Sequence, residues 1–281
     1  MNETFETKNI YSGEPEAFTP MRFLAGAGKK LLFVAIAYTV SLAASFIGFF
    51  GIKVGFSTAV AQFIELFSEN LDAEAAEALA NIGAAAGVLD AAFLGIAIVA
   101  LLPAILTAVG ALLIYFGVKK ENPNMAYNGT LILRILFTFH TVMCALGIAL
   151  TVICLVAASL AEAGFVVLAV IVGVIFLVPL SISVSYYSKL TKMFKNLGTS
   201  VRTDINVLKV YSLVTAVNWV AAICSIISAV TTLGTASLTG ISNLLSAIAL
   251  IIVTMMFSDY KEEFGEPTKE NVQAAKEYGK Y

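Results

Sequence analysis

Apolar residues run along this chain in long uncharged blocks separated by short charged ones, without the strict alternation that marks half-buried strands. The stretches 31–52, 91–118, 135–161 and 163–188 each exceed the roughly 20 residues needed to cross the hydrocarbon of a bilayer, and 210–258 is long enough to cross twice. Backbone groups in lipid must satisfy one another, so blocks of this length predict helices. The expected fold is all-α: a polytopic membrane protein of six transmembrane helices in three antiparallel hairpins. The spans fall at about 31–52, 91–118, 133–160, 164–187, 209–232 and 239–258. They form one domain, 31–258, between an N-terminal tail, 1–30, and a C-terminal tail, 259–281. Both tails are polar and read as solvated and partly disordered.

Two shorter amphipathic patterns stand between spans. Phe56, Val60, Phe63, Phe67 and Leu71 recur at helical spacing with Glu65, Glu69 and Asp72 off that face, predicting an outer amphipathic helix between spans one and two. After span four, Tyr187, Leu190, Phe194 and Leu197 form an apolar stripe, and Lys189, Lys192 and Lys195 share the opposite side. That pattern predicts a basic surface helix whose lysines meet anionic lipid headgroups, with Gly198 as its stop and Thr203 or Asp204 capping the entry to span five.

Charge then gives the sidedness. All but Lys53 of the 17 Lys and Arg residues fall in the tails or in the connections after spans two and four, so the positive-inside rule predicts both termini in the cytoplasm of a plasma-membrane protein. Aromatic residues beside those bases, among them Tyr115, Tyr186, Tyr187 and Tyr260, read as interface anchors. With 59% hydrophobic residues, 13% charged residues and a mean hydropathy of +0.90, the chain lies outside the range of soluble domains, and its charge pattern carries no nucleic-acid footprint.

Helices in lipid associate through small residues and interhelical hydrogen bonds. Such stripes are Ala37, Ser41, Ala44 and Gly48 in span one, Ala100, Ala104, Thr107 and Ala111 in span two, Asn218, Ala221, Ser225, Ser228 and Thr232 in span five, and Ser242, Ser246 and Ala249 in span six. Span three carries His140, Cys144, Gly147, Thr151 and Cys154 on one face, with Leu146, Leu150 and Ile153 turned to lipid. Gly147 is expected at a close backbone approach. Cys144, Cys154 and Cys224 are all expected to face other helices.

Ionisable and amide groups inside a membrane are the candidates for function. His140, the one histidine, and Asn218 and Asn243 are candidate ligand contacts, and Asn218 is expected to find a Ser or Thr on a facing helix. Trp219 either walls a cavity or faces acyl chains. The deep parts of the spans carry no Asp or Glu, and no phosphate loop, zinc motif or nucleophile elbow is present, so neither an enzyme nor a resident cofactor or metal is expected. The sequence favours a non-enzymatic structural, regulatory or accessory component in contact with lipid, partner membrane subunits or further copies of itself; the alternative is a permease or substrate-binding subunit for a small uncharged or amphiphilic solute. A close-packed interior favours the first and a central cavity the second.

Overall fold

A computed structural model describes residues 19–51, 101–161, 166–234 and 237–278, and all its regular structure is helical. The helices are α1 (Pro20–Gly26), α2 (Gly28–Gly51), α3 (Leu101–Lys119), α4 (Pro123–Ala161), α5 (Val166–Thr203), α6 (Ser212–Leu233), α7 (Ser237–Phe264) and α8 (Lys269–Tyr278). Five of them are long and apolar enough to cross a membrane, or six when α1 and α2, bent by 71°, count as one. The amphipathic segment predicted between spans one and two, and Lys53 with it, lies outside the described residues.

Helix lengths depart from the expected spans in an informative way. At 39 and 38 residues, α4 and α5 are about 58 Å long, nearly twice the hydrocarbon thickness. Span four and the predicted basic surface helix are therefore one continuous helix, with Pro179 inside it. Gly198 does not stop it. A side chain there would collide with Thr130 Oγ1, so this glycine lets α5 press against α4. The two helices run antiparallel, as paired contacts demonstrate: His140 with Tyr187, Gly147 with Leu180, Leu155 with Gly173.

Asp204 does not cap span five either. Helix α6 begins after Tyr211 with no side-chain cap, and Asp204 Oδ1 instead accepts from the Met21 backbone N–H at 3.1 Å, closing the start of α1 together with Thr19. Residues 204–211 form no helix, turn at Asp204 (φ 57°) and lie against the end of α7. Asn206 holds them there, accepting from Tyr260 Oη at 3.0 Å and donating to the Phe264 carbonyl at 3.3 Å.

The main core sits at the basic end. Leu24, Leu190, Met193, Phe194, Leu197, Val201, Leu208, Val214, Phe257 and Tyr260 are buried together there, on the same turns as Lys189, Lys192, Lys195, Arg202 and Lys209. The apolar stripe of the expected basic surface helix thus packs on protein. Much of the N-terminal tail from Pro20 onward and the C-terminal tail to Tyr278 is helical, with Leu24 and Ala275 buried.

Deeper in the bundle the small-residue logic holds. Ala37 and Ala249 are fully buried between α2 and α7, and the Ser41 hydroxyl bonds those of Ser242 at 2.6 Å and Ser246 at 2.9 Å. Close approach of α3 to α4 rests on Gly110, Gly117 and Gly129, where an added Cβ would strike the facing helix, and not on Gly147, where it would meet Leu180 at an ordinary 3.5 Å. On α6 the buried face is Val214, Asn218, Ala222 and Ala229, one residue round from the expected stripe beyond Asn218.

Candidate functional site

Helices α1 to α7 converge on a cavity of about 120 Å³. Leu31, Val34 and Tyr38 of α2, Thr107 and Ala111 of α3, Leu133 and Phe137 of α4, and Tyr186, Leu190 and Phe194 of α5 wall it. Asn218 of α6 and Leu250, Val253, Met256 and Phe257 of α7 complete the sides, and Phe23, Leu24, Leu197, Leu208 and Tyr260 form its basic end. On α7 the lining runs from Leu250 to Tyr260, ten residues or about 15 Å, so the space is long and narrow.

Polar groups gather at the end away from the bases. Asn218 is 2% exposed, and its Oδ1 accepts from the Tyr186 hydroxyl at 2.6 Å. Among the described residues the other end of that amide has no partner, and neither does the Tyr38 hydroxyl. Thr107 Oγ1 is occupied, donating to the Pro103 carbonyl at 2.8 Å. At the basic end the Tyr260 hydroxyl is spent on Asn206. The cavity is therefore a hydrocarbon tube with one polar end, and the partner of Asn218 is a tyrosine where a Ser or Thr was expected.

The other sequence candidates lie elsewhere. His140 is half-buried, with Nδ1 2.9 Å from the Leu136 carbonyl of its own helix and its ring 4.9 Å from that of Tyr187, and it does not line the cavity. Asn243 donates to Ser228 Oγ at 3.2 Å and ties α7 to α6. Lys192 and Lys195 are exposed, whereas Lys189 is half-buried over the Tyr211 ring at 5.9 Å. Trp219 is 42% exposed and turned out of the bundle. Cys154 and Cys224 are exposed, contrary to the expectation that all three cysteines face helices, and Cys144 is half-buried.

Sequence reasoning missed Tyr38 and Tyr186. In the sequence Tyr186 reads as an interface anchor because it stands one turn from Lys189. Tyr38 carried a usable signal, since it is the one phenol inside span one and sits three residues before the Ser41 stripe.

Among the described residues no three His, Cys, Asp or Glu side chains are placed to hold a metal. No protein-family model matches the chain, no curated protein matches its sequence, and no solved structure matches its fold.

Proposed function

We propose that this is an integral plasma-membrane protein that performs no covalent chemistry and holds a small, uncharged, largely apolar molecule inside its helix bundle, as a permease or membrane-embedded binding subunit. The basic end faces the cytoplasm in this reading, and the bilayer is its constant partner. The observation that carries it is the converging cavity with a buried, half-satisfied amide at one end. A purely structural or accessory bundle has no use for such a space. Leaving about 120 Å³ of a bundle empty costs on the order of 3 kcal/mol at the rate measured for cavities in protein cores. A ligand that fills the tube recovers that cost and adds a hydrogen bond at Asn218.

The test is thermal unfolding of the detergent-purified protein against a panel of small neutral compounds, in the wild type and in Ala111→Leu, which fills the wall of α3. Binding to the cavity predicts that some compounds raise the wild-type midpoint and leave the filled variant unmoved. The reading fails if no compound separates the two proteins.

A further inference from the structure

Resting on that binding reading, we infer that the ligand is an unbranched alkyl chain bearing one uncharged hydroxyl. The hydroxyl lies at Asn218 and Tyr38, and the chain runs toward the basic end. Shape comes first. About 120 Å³ drawn out over roughly 15 Å is one chain wide, whereas a compact cavity of about 150 Å³ takes up a benzene ring. Chemistry fixes the head. Depending on how the Asn218 amide is turned, its free end offers either N–H donors or a carbonyl acceptor, and a hydroxyl satisfies both. The Tyr38 hydroxyl is a second partner of the same kind.

Charge is excluded. Among the described residues no cation lines the cavity: Lys30 is paired with Asp259 at 2.7 Å and Lys189 lies over Tyr211, so a carboxylate would be buried without a counter-ion from them. Polarity is also reversed relative to a bilayer lipid. A phospholipid on the basic side keeps its headgroup among the lysines and sends only hydrocarbon inward, placing nothing on Asn218. The shared chemistry is the alkyl chain, and the two sources differ in whether a hydroxyl reaches the amide.

The experiment photolabels the full chain in detergent with a diazirine-bearing 1-alkanol and maps adducts by peptide mass spectrometry, with competition by unlabelled molecules. Adducts are expected on the cavity wall, at Leu133, Leu197 and Leu208. Competition by 1-alkanols, compared at equal free aqueous concentration, should strengthen about fourfold for each added methylene until the tube is full. The matched alkane and fatty acid should compete at least tenfold more weakly. Asn218→Leu should remove the preference for alkanol over alkane while keeping the dependence on chain length. Tyr38→Phe, which deletes only an oxygen, should weaken that preference and serves where the first variant fails to fold. Adducts confined to lipid-facing residues such as Leu150 and Ile153, equal competition by the fatty acid, or loss of label to phospholipid would each overturn the assignment. So would an absence of chain-length dependence, the behaviour of a cavity that holds only water. If compact neutral molecules stabilise the protein in the thermal assay and alkanols do not, the alkanol assignment falls and the binding reading stands; if nothing neutral stabilises it, both fall.

Discussion

Two glycine-to-alanine substitutions separate close packing from ordinary contact within one molecule. At Gly117 of α3, an added Cβ would collide with the Ala126 backbone nitrogen and lie 2.7 Å from its Cα and 2.8 Å from its Cβ. Backbone atoms cannot swing aside as a side chain does, so α3 and α4 must move apart next to the tight turn that joins them. Overpacking of this kind costs about 1–3 kcal/mol. At Gly147 of α4, the same methyl would sit 3.5 and 3.6 Å from the two Leu180 methyls, a normal van der Waals distance. Both sites are helical, so both variants share the gain of about 1 kcal/mol that alanine brings over glycine. The difference between them reports packing alone: Gly147→Ala equals or exceeds the wild type, and Gly117→Ala falls about 1–3 kcal/mol below Gly147→Ala. Unfolding in mild detergent, by titration with a denaturing detergent and far-UV circular dichroism, measures that gap. A Gly117→Ala protein as stable as Gly147→Ala would mean that α3 and α4 do not cross where described, and the α3 wall of the cavity would have to be redrawn.

A double-mutant cycle of Tyr186→Phe and Asn218→Leu should give a coupling of about 0.6–1.7 kcal/mol, the range of interhelical hydrogen bonds in membranes; additive effects would show that the 2.6 Å bond does not form. Lys30→Ala should cost less than about 1 kcal/mol, because the Lys30–Asp259 pair is nearly half exposed, and a larger loss in a thermal melt would mean the bend between α1 and α2 depends on it. In liposomes, a lipid-soluble maleimide should modify Cys154 and Cys224 faster than Cys144, and preferential reaction of Cys144 would place the exposed face of α4 inside the protein. A reporter fused after Tyr281 should be active only in the cytoplasm, and external activity would reverse the assigned sidedness.

Much of this architecture is legible from residue spacing. The stripes Ala37 and Ser41 in α2 and Ser242 and Ala249 in α7 read as facing surfaces because small residues every three or four positions have few other uses in lipid. Leu150 and Ile153, each 63% exposed, follow from the same periodicity. What spacing cannot supply is the vertical register between helices. Tyr186 meets Asn218 because α5 carries its tyrosine past the interface to the level of the α6 amide, and nothing within either segment states that offset. Hydropathy likewise marks where a helix is apolar and not where it ends, so the continuation of α5 from Leu190 to Thr203 reads as a separate element in the sequence. Asn218 was found from its chemistry alone. Its partner needed three dimensions.

The position of the main core bears on how this protein holds together. Leu190, Phe194, Leu197 and Tyr260 are buried at the level of the lysines, where water is present, so the hydrophobic effect acts on them as it does in a soluble domain. Between the apolar lengths of the helices, where oil meets oil, that force vanishes. The bundle is riveted at the aqueous end, and its apolar lengths are joined instead by small-residue packing such as that of Ala37 on Ala249, by glycine contacts and by the hydrogen bonds of Ser41, Asn218 and Asn243. Urea, which cannot enter the bilayer, should loosen the rivet first.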